Sequence, residues 1–121
     1  MRVIIAGTRD LPITLSDIVS AIEESRFHIT AIISGHSGIV DKLGEEWAAL
    51  NRVPIHQYLP QWAVYGKSAG PRRNEEMAKN AEALILLWDG FSKGSRSMLL
   101  FANRYELMIY EKVICRQEGE V

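Results

Sequence analysis

The sequence predicts an α/β domain, with a five-stranded parallel sheet covered by helices on both faces. Three observations carry this expectation. Short apolar runs alternate with stretches whose apolar residues recur at helical spacing. The first run, Val3 to Ala6, is continuously apolar, as a strand buried on both faces is, rather than alternating apolar and polar. The 121 residues are 47% hydrophobic and 24% charged, enough for one domain with one core.

The elements follow in order. Val3 to Ala6 is the first strand, closed by Gly7. Leu15, Ile18, Val19 and Ile22 then mark one helix face, and Thr14 with Asp17 resembles a capping box at its start. Ile29 to Ile33 is the second strand, stopped by Ser34-Gly35. Val40, Leu43, Gly44 and Trp47 give the second helix, which ends at Asn51-Arg52. Val53 to Leu59 reads as an edge strand, with Pro54 at its start. Pro60 to Gly70 reads as a loop carrying two aromatics.

Pro71 suits the first turn of the next helix, where its missing N–H costs nothing, and Asn74, Met77, Ala78 and Ala81 continue that helix. Ala83 to Trp88 is the fourth and most apolar strand, followed by a glycine-rich turn, Asp89 to Gly94. Ser95, Met98, Leu99, Ala102 and Tyr105 mark the last helix, and Leu107 to Cys115 includes the fifth strand. One domain over residues 1–115 is expected, with a frayed polar tail over 116–121. Right-handed crossovers make this a Rossmann-like three-layer α/β/α fold with strand order 3-2-1-4-5.

The formal net charge of −1 argues against nucleic acid as the main partner. The lone Cys115 cannot form an internal disulfide, so a reducing, cytoplasmic setting is expected, with Cys115 as a small packed residue. No apolar stretch reaches the length of a signal core or a membrane span. His28, His36 and His56 lack metal-ligand spacing, so neither a metal nor another cofactor is required. G-x-G-x-x-G, the P-loop and G-x-S-x-G are all absent, and a triad of Ser34, His36 and Asp41 is disfavoured because close sequence neighbours seldom align that way.

The unusual residues fall at the strand-to-helix loops, all on one edge of such a sheet. They are Gly7-Thr8-Arg9, then Ser34-Gly35-His36-Ser37-Gly38, then Gly70 with Arg72, Arg73 and Asn74, and finally Asp89, Gly90, Ser92, Gly94 and Ser95. Glycines and helix N-termini offer N–H groups to an anion, and guanidinium forks fit phosphate. Trp62, Tyr65 and Trp88 are candidates to flank a base. Taken singly, each has a bland reading: a turn glycine, a solvated helix start, a loop anchor, or a cap at Asp41 or Asp89. The expectation rests on the convergence of four loops with one chemistry.

VIIAGTRD, SGHSGIVDKLGEEWA, GPRRNEEMAKNAEALILLWDG and SKGSRSML, in this order, resemble the DUF2493 (YspA-like) family of the SLOG superfamily. That superfamily also holds the LOG phosphoribohydrolases, once misnamed lysine decarboxylases, and DNA-processing protein A. The resemblance spans roughly Arg2 to Val113 and implies a nucleotide-related ligand. The sequence departs from the family's S-G-G-A-R-G-A-D run, since Ser34 to Asp41 lacks the arginine and His36 replaces a glycine. Met98 stands where the LOG motif P-G-G-x-G-T-x-x-E has its glutamate, while Arg73 matches the arginine of M-H-x-R-K.

The expected function is binding of a nucleotide or nucleotide-derived phosphorylated small molecule, as sensor, carrier or sequestering protein. The alternatives are an N-glycosidase or phosphohydrolase using Asp89, Asp41 or Glu45, and an interaction module for DNA or protein. A homo-oligomer is expected from the apolar excess at Leu99, Leu100, Phe101, Leu107, Met108 and Ile109.

Overall fold

The computed structural model describes residues 1–115, so the expected tail at 116–121 lies outside the described residues. The strands are β1 (Arg2–Gly7), β2 (Ala31–Ser34), β3 (Ile55–Gln57), β4 (Ala83–Trp88) and β5 (Met108–Val113). The helices are α1 (Leu15–Ser25), α2 (Ile39–Leu50), α3 (Trp62–Tyr65), α4 (Ala69–Lys79) and α5 (Lys93–Arg104). All strand pairs are parallel, in the order β3-β2-β1-β4-β5.

Alternation along the central strands divides the core in two. Val3 and Ile5 of β1, with Ala83, Ile85 and Leu87 of β4, meet Ile18, Ala21, Val40 and Ala48 from α1 and α2. Ile4 and Ala6, with Leu84, Leu86 and Trp88, meet Met77, Ala78, Met98 and Ala102 from α4 and α5. Both faces of β4 are thus covered, which is why its sequence is apolar without a break.

Local chemistry sets the element ends. The Thr14 N–H donates to Asp17 Oδ2 at 2.8 Å, the capping contact expected at the start of α1. Arg26 ends α1 in the left-handed conformation, with φ at 62°. Gly44 brings α2 against the sheet: a Cβ there would lie 3.0 Å from Ile5 Cβ.

Three expectations need correction. The third strand spans only Ile55–Gln57, and all of it is exposed, because on the edge only β2 pairs with it. The stretch read as a loop over 60–70 is helical, forming α3, a 3-10 turn at Gly66–Ser68 and the start of α4. Its apolar residues are too few to reveal this by periodicity, and Pro71 still falls in the first turn of α4. Cys115 is exposed rather than packed. Among the described residues, no helix is long and apolar enough to cross a membrane.

Candidate functional site

A cleft of about 450 Å³ opens at the carboxyl edge of β1. Gly7 and Thr8 end β1 at its floor, beside Ala6 and Arg9. Gly7 is required there by close approach, because a Cβ would overlap the Leu87 carbonyl oxygen of β4. One wall is α2 with the loop before it, contributing Ser37 and Asp41. The facing wall is α4 and α5, contributing Gly70, Arg73, Asn74, Ser92, Gly94 and Ser95. Met77 and Met98 supply apolar surface, and Trp62 of α3 stands over Gly70 at the rim.

The first turn of α5 carries unspent hydrogen-bonding capacity. The leading N–H groups of a helix have no partner within it, and Ser92 at the N-cap supplies no side-chain cap. Ser95, in that turn, is only 4% exposed, and its Oγ is the sole buried side-chain polar atom without a hydrogen-bond partner among the described residues. A Cβ on Gly94 would meet open space. Asn74 steadies this turn, its Nδ2 donating to Ser97 Oγ at 3.3 Å. Arg9, Arg73 and Lys93 line the same cleft, while Asp41 is its only carboxylate among the described residues. Three cations against one carboxylate leave the lining with a net positive charge.

Asp41 is buried at the start of α2. Its Oδ2 accepts from Ser37 N and Ser37 Oγ, both at 2.9 Å. Burial pushes its carboxyl above the ordinary range, while the Ser37 bonds and the Arg73 charge pull the other way. Burial also lowers the Arg73 guanidinium, opposed by the Asp41 charge.

Arg73 is less free than a phosphate fork would be. Its Nη1 donates to the carbonyls of Gly35 at 2.8 Å and Tyr58 at 3.2 Å, and its Nε to Asn74 Oδ1 at 2.9 Å. It straps the end of β2 to the segment after β3.

The other expected residues fall outside the cleft, each for a physical reason. Asp89 Oδ1 accepts from Thr8 Oγ1 and from the N–H groups of Phe91 and Ser92, closing the turn between β4 and α5. Gly90 shapes that turn at φ 86°. Ser34 Oγ donates to Glu45 Oε2 at 2.7 Å, and His36 Nδ1 sits 3.0 Å from both Glu45 oxygens. Asp41 takes no part in that cluster and Ser34 bonds the acid directly, so it is not a nucleophile triad.

Gly35 leaves room for the Arg73 guanidinium, and Gly38 for the β1–α1 loop, where a Cβ would lie 2.6 Å from Arg9 Cα. Arg72 stacks on the Tyr65 ring at 4.4 Å, in a neighbouring groove of about 510 Å³ with mixed charge. Trp88 is buried in the sheet's α4–α5 face, with Nε1 bonded to Glu111. Of the three aromatics, only Trp62 lines the cleft.

Sequence reasoning did not assign Ser97 to the site, and it took Asp41 for a cap or an acid. Ser97 sits five residues past the α5 N-cap, a position that could have pointed to it. Searches among protein-family models, curated proteins and solved structures found no match to this chain.

Proposed function

We propose that this protein binds a phosphorylated small molecule, a nucleotide or nucleotide derivative, with its phosphate on the first turn of α5. The carrying observation is the buried, unpartnered hydroxyl of Ser95, a residue that lines the cleft at that turn. An orphaned buried hydroxyl costs about 1–3 kcal/mol, and a phosphate oxygen would satisfy it along with the leading N–H groups. Lys93 and Arg9 supply counter-charge. The cleft volume of about 450 Å³ lies within the usual range for small-molecule sites. The resemblance to the DUF2493 and SLOG proteins supports the same reading. So does the negative net charge, which disfavours nucleic acid as the partner.

On this reading the protein works in the cytoplasm as a sensor, carrier or sequestering protein. The cations of the chain make a bound metal unnecessary, so chelation with EDTA should leave binding unchanged. Calorimetric titration with the ribonucleoside 5′-monophosphates and with inorganic phosphate tests the proposal. Binding that weakens about tenfold or more in Ser95→Ala is the expected result. Absence of binding by every one of these probes would overturn it.

A further inference from the structure

We infer that Asp41 and Ser37 form a sugar-diol subsite on the α2 wall of the cleft, so that the ligand is a ribosyl phosphate read by its hydroxyls. This rests on the reading of the α5 turn as a phosphate site. Asp41 is 5% exposed, yet both bonds from Ser37 go to Oδ2 alone. Its Oδ1 makes no hydrogen bond among the described residues. Among the described residues no ion pair compensates the buried charge either, and Arg73 acts on it only through space. An ionised carboxylate is expensive to bury without full pairing. A residue held this way, lining a cleft, has spare accepting capacity for a ligand.

The surroundings select the kind of donor. Arg73 lies close enough to Asp41 and to Arg9 to feel both charges. An ammonium ligand would meet those guanidiniums, whereas a neutral hydroxyl would not. Ser37, which lines the cleft, spends its hydroxyl proton on Asp41, so its Oγ keeps only accepting capacity for a ligand. Two adjacent acceptors fit two adjacent hydroxyls. The phosphate end and the diol end come from opposite sides of the sheet, α5 and α2, and meet across β1.

The test compares each ribonucleoside 5′-monophosphate with its 2′,3′-dideoxy counterpart, by calorimetry on the full chain. In the unsubstituted protein, removal of the hydroxyls should weaken binding at least about tenfold. In Asp41→Asn that ratio should fall several-fold. Ser37→Ala gives the same reading should Asp41→Asn fail to fold. Equal binding of the two ligand series overturns the diol subsite and leaves the phosphate reading standing. Absence of binding by both series overturns both.

Discussion

Ser95 keeps a hydroxyl in the interior with nothing to bond, so the free protein carries a cost that its ligand would relieve. Ser95→Ala should raise the unfolding free energy by roughly 1 kcal/mol while weakening phosphate binding, as read by melts with and without ligand. A loss of stability instead would mean that the hydroxyl is bonded within the protein. Asp41 carries a second such cost. Its folded pKa is raised above the unfolded value of 3.8, so the native chain loses stability as pH rises through the folded value. Asp41→Asn should raise the melting temperature at neutral pH, and the gain should shrink as pH falls through the folded value toward 3.8. Both variants trade binding for stability. Arg73→Ala should do neither cleanly: it removes charged donors to Gly35, Tyr58 and Asn74, and should destabilise by about 2 kcal/mol. Met98, 2% exposed, faces the cleft with a side chain that cannot move a proton. Incubation with AMP, followed by chromatography, should therefore show no steady release of base.

Glycines that look alike in sequence do different work at the ends of the elements. Gly7→Ala would drive a methyl into the Leu87 carbonyl and is expected to abolish soluble folded protein. Gly94→Ala meets open space in the first turn of α5 and should be neutral or stabilising by up to about 1 kcal/mol. The same methyl would stand where the phosphate is proposed to sit, so binding should fall in calorimetry while the melting temperature holds. α1, α2, α4 and α5 were legible from the helical period of their apolar residues, and β1 and β4 from unbroken apolar runs. β3 was legible as an edge strand but its short extent was not, nor were the helical turns over 62–68, since exposed residues leave no apolar pattern. The site was legible to the level of loops: glycine and arginine mark an edge of the sheet. Which residues face the cleft was not, because that depends on side-chain direction: Trp88 turns into the α4–α5 core while Ser95 lines the cleft.

At the scale of the molecule, the sheet ends in two open strands, β3 and β5. Of the apolar residues read as an excess, Leu99, Phe101, Leu107 and Ile109 pack against the core, while Leu100 and Met108 stay exposed. The expectation of a homo-oligomer now rests on Leu100, Met108 and the exposed Val113 near the β5 edge. Sedimentation velocity should show a species above monomer mass that Leu100→Lys with Met108→Lys reduces to monomer; a monomer throughout would end that expectation. The strand order also has a consequence for synthesis. β1 is made first yet lies in the middle of the sheet, with Val3 paired to Ala83 and Gly7 to Leu87. At 5–20 residues per second, β1 waits roughly 4–16 s on the ribosome for the strand that will cover its second edge. Through that interval an apolar ladder stands open to neighbouring nascent chains. A chain terminated before Ala83 is then more than a shortened domain. It is a permanently open edge, and it should collect in the pellet when lysates are centrifuged.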